Sequence, residues 1–494
     1  MTIETVLAWS IARSILVATF ALPISLFVWR ACSDRSSGRR LRQLKIAVAV
    51  LPLFVPDLLT GFTYRLTSAR LLHSVAGTEA LYAGLLLFRI VALQVAVRLI
   101  LPGSVISREA MHSWKLNQRG QSGWRFEWIR MQIMGPYRTA LIAWMGGCLL
   151  CFQDFETAAL LQINRHPIAW TVWLFDAHAA GEPLVNSLKY VGRSVVFQLL
   201  LLVPVVVLLA GGRGRVVDGK GRGQESADGS GSPSCKMLTN AGLRFFGLLS
   251  LVVVLVWPVF VNSGQLFEGL GSLVKQKSLM PRLQQILISV TTCTTAALLA
   301  VWICKVLRET GVRWVAIVVM LPGLCGSLVT GLALLALFQL PALNAVYDSW
   351  LPMLLGQTLL LIPRAWLLVV LLEVLSDNMA AHSARLLLNS ASAHVRSTGR
   401  NLLWRLGGRR WLIALAVLTH WSFWDVSIVS TLRPVRFEPI VTRLYNEMHY
   451  GRTATLIAMT VLSMLIPIVG ALLAGLVCKQ FPGRAHQQKG QANG

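Results

Sequence analysis

Acidic residues are scarce in this chain: Asp and Glu together number 21 in 494 residues, and all charged residues make up 14%. A soluble globular domain carries about 25% charged residues, so a chain this poor in charge cannot cover a water-facing surface of ordinary polarity. The shortage excludes a cytosolic enzyme, and the 55% hydrophobic content excludes a disordered chain. Cysteine is sparse as well, eight in all, and most lie inside or beside apolar runs, which excludes a disulfide-stapled secreted domain. Cys148 and Cys151 form a CxxC without a second pair nearby. At i,i+3 in an apolar run they share one helical face and read as packing thiols. No metal-ligand cluster, nucleophile constellation or suitably spaced carboxylate pair stands out in the loops, so neither catalysis nor a resident metal or cofactor is expected.

What is abundant is long apolar sequence, with a mean hydropathy of +0.62. A spanning helix needs about 20 mostly apolar residues. Eleven runs qualify, near 6–31, 45–64, 80–101, 138–162, 192–211, 243–262, 285–307, 314–339, 351–375, 411–432 and 453–477. The expected fold is an all-α polytopic membrane protein. The first run carries Glu4 and Arg13 and lacks a basic leader, so it reads as a retained span rather than a cleaved signal.

The net charge of +25 is not a nucleic-acid footprint, because the basic residues fall between the apolar runs. One set of alternate connectors holds 28 Lys and Arg and the other 11. The positive-inside rule makes the richer set cytoplasmic, which predicts the N-terminus outside and the C-terminus inside. Trp9, Trp29, Trp170, Trp173, Trp257, Trp314 and Trp350 lie near predicted span ends and read as interfacial anchors.

The sequence also repeats itself. Leu51-Pro52 with Thr60-Gly61 returns as Leu321-Pro322 with Thr330-Gly331, an offset of 270. Phe152-x-Asp154 returns as Phe423-x-Asp425, an offset of 271. Leu174-Phe175-Asp176 with Gly181 answers Leu444-Tyr445-Asn446 with Gly451. Two long basic loops, 102–137 and 376–410, occupy matching places, and the even number of spans between them puts both on one face. The expected organisation is a first half over 1–212, a Gly/Ser-rich linker over 213–242, a second half over 243–480 and a tail over 481–494. The halves run in parallel, with five spans and six. Gly214 to Lys220 has phosphate-loop spacing, but Gly221 follows where Ser or Thr should hold Mg²⁺, and the stretch is low-complexity. ATP hydrolysis is therefore expected from a separate subunit, if it occurs.

Residues 421–452 carry the most specific signal. Asp425, Arg433, Pro434, Phe437, Glu438, Tyr445, Asn446, His449, Tyr450, Gly451 and Arg452 stand in an order that resembles the C-terminal half of fused permease subunits of ABC importers, of the ferric-iron, thiamine and phosphonate type. The resemblance implies a translocation subunit in a bacterial cytoplasmic membrane. It would be served by a cytoplasmic ATPase, in two copies, and by a periplasmic or extracellular substrate-binding protein, with the lipid bilayer as its solvent. It also implies a short ATPase-coupling helix in each basic loop, beginning near Glu109 and Ala110 in the first and including His382, Ala384 and Arg385 in the second. The family's loop glycine is replaced by Lys115 and Leu388. An ion-coupled carrier and a non-transporting scaffold descended from a permease remain open alternatives.

Ionisable residues inside spans are costly and mark bundle interiors or water-filled paths. The clearest are Arg89, Asp154, Glu156, Arg364, Glu373 and Asp425. Arg89 and Arg364 stand in the span before each basic loop, Asp154 and Asp425 in the span after it. Each Arg–Asp pair is expected either to neutralise itself between neighbouring helices or to line a translocation path.

Overall fold

The computed structural model describes residues 2–33, 38–71, 73–101, 113–114, 116, 124–161, 168–210, 233–311, 313–375, 378–390, 392–449 and 453–480. Among the described residues the chain is helical and has no strand. Six helices are long and apolar enough to cross a membrane, and three further helix pairs qualify if each bent pair is one span. The chain is thus a multi-pass helical membrane protein. The run at 138–162 is interrupted at Asp154, and the last run qualifies only as the shorter apolar helix Thr453–Val469. These two account for the difference between nine and the eleven expected.

Packing divides the chain into two compact units, Met1–Asn262 and Ser263–Gly494. In the first, α1 spans Ile3–Ser33, α2 Arg39–Val50, α3 Asp57–Arg70 and α4 Val75–Ile100. Then come α5 (Trp124–Met134), α6 (Arg138–Gln153), α7 (Glu156–Leu161), α8 (Trp170–Ala179), α9 (Leu184–Ala210), α10 (Pro233–Leu251) and α11 (Trp257–Val261). The second unit contains α12 (Ser263–Lys275), α13 (Leu279–Glu309), α14 (Arg313–Leu324), α15 (Ser327–Phe338), α16 (Asn344–Tyr347) and α17 (Leu351–Leu375). It continues with α18 (Asn378–Leu388), α19 (Ala393–Leu403), α20 (Arg409–Phe423), α21 (Val426–Leu432), α22 (Ile440–His449) and α23 (Thr453–Gln480).

The linker expected over 213–242 is shorter on the described side, because α10 begins at Pro233. Proline suits the first turn of a helix, where its missing N–H would have no partner anyway. The span at 243–262, expected to open the second half, lies within the first unit. There Phe246 meets Phe88 with ring centroids 5.7 Å apart, and a Cβ on Gly247 would lie 3.0 Å from Val48. Composition marks where a chain is polar, but side-chain fit decides which neighbours a following helix takes.

In each unit the central helices approach closely over small residues, as lipid-solvated helices do when packing rather than hydrophobicity holds them together. A Cβ on Gly147 of α6 would lie 2.9 Å from Ile90 and 3.1 Å from Gln94 of α4. Gln94 spans the same seam, donating to the Ala18 carbonyl of α1 and accepting from the Ser25 hydroxyl. In the second unit Ala296, Ala297 and Ala300 of α13 pack on Leu361, Ile362 and Ala365 of α17. Gly269 of α12 lies against the Ala454 carbonyl of α23, with no room for a methyl group.

The bent pairs turn by 68° at α2–α3, 105° at α14–α15 and 62° at the pair ending in α20–α21. The repeated Leu-Pro and Thr-Gly motifs stand on either side of the first two bends. Thr330 donates to the Pro322 carbonyl at 2.6 Å, closing the α14–α15 break from within.

Trp9, Trp257, Trp314 and Trp350 are well exposed. Trp170 is not: it is 2% exposed, stacks on Phe152, and donates its indole N–H to the Phe152 carbonyl. Its position in sequence suggested an anchor, but the break after α6 leaves a carbonyl that only a buried donor can satisfy.

Candidate functional site

Asp154 occupies the two-residue gap between α6 and α7. A helix broken inside a membrane exposes backbone groups that lipid cannot satisfy. Here the loose ends are tied by side chains. Trp170 donates to the Phe152 carbonyl, and the Thr171 hydroxyl donates to the Asp154 carbonyl at 2.7 Å. The Asp154 carboxylate serves the other end of the break. It accepts from the Ala158 N–H at 3.2 Å and the Thr157 hydroxyl at 3.1 Å, capping α7. Two donors come from α4: the Tyr82 hydroxyl at 2.8 Å and Arg89 Nη1 at 3.4 Å.

Arg89 also reaches the other bend. Its Nη1 lies 2.6 Å from Asp57 Oδ2, and Asp57 is the first residue of α3, just past the bend from α2. One guanidinium on a continuous helix thus ties together two broken ones. Asp57 sat unnoticed within the apolar run 45–64; the Pro56-Asp57 step was the available signal, since proline followed by an acidic residue marks a helix start. Carboxylate oxygens of Asp57, Asp154 and Glu156 all lie within 4.8 Å of one another, which is close enough to share a cation. Asp154 already accepts four hydrogen bonds, however, so a metal there would have to displace Arg89 or a helix cap.

Nearby, Arg13 of α1 makes a two-pronged ion pair with Glu79 of α4 at 2.8 and 2.9 Å. It also donates to the Ile168 carbonyl at 2.6 Å and lies over the Tyr82 ring. The sequence marked Arg13 only as an argument against a signal peptide.

The second unit repeats the geometry with different charges. Asp425 sits in the gap between α20 and α21 and accepts from the Ile428 N–H at 2.9 Å, capping α21. Arg364 of α17 acts on it electrostatically, and the Ser327 hydroxyl at the start of α15 hydrogen-bonds it. Arg364 also lies 5.8 Å from the Trp421 ring centroid. At the repeat offsets, Ser327 stands for Asp57 and Ser427 for Glu156, while Gln357 stands for Tyr82 in the register that matches Arg364 with Arg89. The first unit therefore sets three carboxylates against one arginine; the second sets one against one. Gln357 donates to Cys293 Sγ, but its Oε1 is buried without a partner, as is the hydroxyl of Ser427.

Of the expected coupling residues, Glu109 and Ala110 lie outside the described residues. His382, Ala384 and Arg385 lie on α18, where His382 and Arg385 are exposed and Ala384 is buried. α18 and α19 form a short helical hairpin between the long helices α17 and α20. Its seam is tight: a Cβ on Gly399 would lie 2.9 Å from the Ala384 carbonyl. The Glu373 side chain lies outside the described residues.

The 421–452 motif acquires a structural explanation. Glu438 accepts from Asn446 at 2.7 Å and pairs with Arg433 and Arg443 at 3.6 and 3.9 Å. Phe437 packs on Trp350, and the Val435 N–H donates to Asp348. These contacts fasten the segment between α21 and α22. His449 is the last residue of α22, and Tyr450, Gly451 and Arg452 lie outside the described residues.

No family stands behind these features by similarity. Comparison with protein-family profiles, curated proteins and solved structures finds no match to the chain.

Proposed function

We propose that the chain is the membrane-spanning subunit of a solute importer of the ABC type. It would form the path for iron(III) or a similar small solute handed over by a binding protein and driven by a separate ATPase. The observation that carries this reading is the repeated constellation. In each unit an aspartate caps a helix break, beside an arginine on the preceding long helix and a second bend that supplies a hydrogen-bonding residue. Broken helices with charged groups at membrane depth are the usual means of making a polar path through lipid. On this reading the interrupted run 138–161 and the continuous helix 453–480 also cross, giving eleven spans in two parallel sets. The N-terminus is then outside a bacterial cytoplasmic membrane, the C-terminus inside, and the α18–α19 hairpin is the ATPase-docking element.

The test is a mild-detergent pull-down of tagged full-length protein from native membranes, beside a variant whose 376–410 loop is a Gly/Ser linker. Recovery of an ATPase that the variant loses supports the reading. Intact protein without an ATPase overturns it. A second reading, an ion-coupled carrier, is favoured by the acidic excess around Arg89, since paired and surplus carboxylates are how carriers couple to cations. It predicts solute uptake that follows an ion gradient without ATP.

A further inference from the structure

Arg98 of α4 is 6% exposed, and Nε, Nη1 and Nη2 are all buried without a hydrogen-bond partner. A buried, unpaired guanidinium is among the most costly arrangements a fold can hold, and native structures almost always satisfy such groups. No described carboxylate of the first unit is paired with it. The charge acting on it is Arg30, of the same sign, near the end of α1. The same end of the bundle carries Arg42 and Lys45 of α2, both acting on Cys32, with Lys45 Nζ 3.5 Å from the Ala31 carbonyl.

The second unit handles the matching end differently. There Lys305 lies 4.5 Å from the Trp411 ring centroid and Arg308 5.8 Å from that of Trp366, so both cations rest on aromatic faces. Two residues after Arg364 comes Trp366; two after Arg89 comes Val91. Fourteen residues before Asp425 comes Trp411; fourteen before Asp154 comes Ala140. The first unit thus lacks the rings that support the cations of the second, and its arginine stands two residues from the end of α4.

We infer that Arg98, with Arg30 beside it, is a binding site for a phosphate group at the basic end of the first unit, and that the phosphate is that of an anionic phospholipid. The inference does not depend on the transport reading. The chemistry is a forked guanidinium donating to phosphate oxygens, and basic clusters at the ends of membrane helices are where acidic headgroups bind.

The experiment uses the full chain in phosphatidylcholine bilayers with and without phosphatidylglycerol, as wild type, Arg98→Gln, Arg98→Lys and the exposed control Arg436→Gln. Phosphatidylglycerol retained through detergent purification is measured by mass spectrometry. We expect Arg98→Gln to lower retention about five-fold, the effect of losing one headgroup contact, Arg98→Lys to lie between, and Arg436→Gln to match wild type. Inorganic phosphate is the second arm. If it binds in an Arg98-dependent way and phosphatidylglycerol does not, the lipid assignment fails. Equal retention in wild type and Arg98→Gln overturns the site altogether.

Should Arg98→Gln fail to reach the membrane, the wild type alone decides through phenylglyoxal labelling of Arg98. Modification in phosphatidylcholine and protection with phosphatidylglycerol supports the site. Equal labelling in both, or none in either, overturns it.

Discussion

Asp154 and Asp425, separated by the repeat offset, do the same work: each lies in a two-residue helix gap and accepts an N–H from the first turn beyond it. An aspartate suits this place twice over, as an N-cap and as a negative charge at the positive end of a helix. What differs is the company. Asp154 is held by Tyr82, Thr157 and Arg89, whereas near Asp425 the Gln357 Oε1 and the Ser427 hydroxyl are left unpaired. The first site is built as a clamp; the second has hydrogen-bonding capacity to spare.

That difference predicts unequal responses to removing the two arginines. Arg89→Gln leaves Asp57, Asp154 and Glu156 without their cation and should destabilise the protein by about 3 kcal/mol or more, the usual result of breaking a buried pair. Arg364→Gln uncovers a single carboxylate that keeps its Ser327 and Ile428 donors and should cost less. Thermal unfolding of the two variants in one detergent checks the order, and equal losses would refute it.

The neighbouring hydroxyl and amide should differ in the same sense. Tyr82→Phe removes a donor from a buried carboxylate, a loss of about 1–3 kcal/mol. Gln357→Leu removes an amide whose oxygen has no partner, and is expected to be near neutral or stabilising. The melting temperatures of both variants, measured side by side, test the contrast.

Function is expected to follow Asp425. Asp425→Asn should keep the protein in the membrane at normal abundance while abolishing solute uptake, because an amide loses the charge that faces Arg364. Uptake by cells carrying the variant, normalised to membrane protein, is the measurement; unchanged uptake removes Asp425 from the path.

Close packing gives a prediction independent of charge. Gly269→Ala places a methyl group into the Ala454 carbonyl, and α12 must shift away from α23. Overpacking of this kind costs about 1–3 kcal/mol. Gly271 on the same helix has open space at its Cβ position, so Gly271→Ala should be neutral or gain slightly from higher helix propensity. A comparison of detergent half-lives separates the two.

The Arg13–Glu79 pair offers a last check on the first unit. Glu79→Gln leaves a buried guanidinium with only the Ile168 carbonyl and the Tyr82 ring, and should cost about 3 kcal/mol. Restoring the carboxylate as Glu79→Asp should recover part of that loss, because the shorter arm makes one bond in place of two.

Composition and hydropathy alone determined that this is a helical membrane protein and where its long apolar helices lie, because lipid leaves a spanning chain few other ways to satisfy its backbone. The two Phe-x-Asp steps were legible as well: Asp154 and Asp425 each fall in a two-residue helix gap. The partners of those aspartates were only partly legible. Arg89 and Arg364 stand out in apolar sequence, but Asp57 was hidden in a run that reads as one span, because a 68° bend after Pro56 leaves no break in hydropathy. Tyr82 gave no sign, since a tyrosine in a span packs as readily as it donates. Trp170 and the helix at 241–261 were decided by tertiary structure, one by a carbonyl needing a buried donor, the other by Phe88 and Val48 offering it a surface. Hydropathy records how much a segment prefers lipid; which orphaned backbone group or side chain it meets depends on residues far away in sequence, and only the packed helices bring them together.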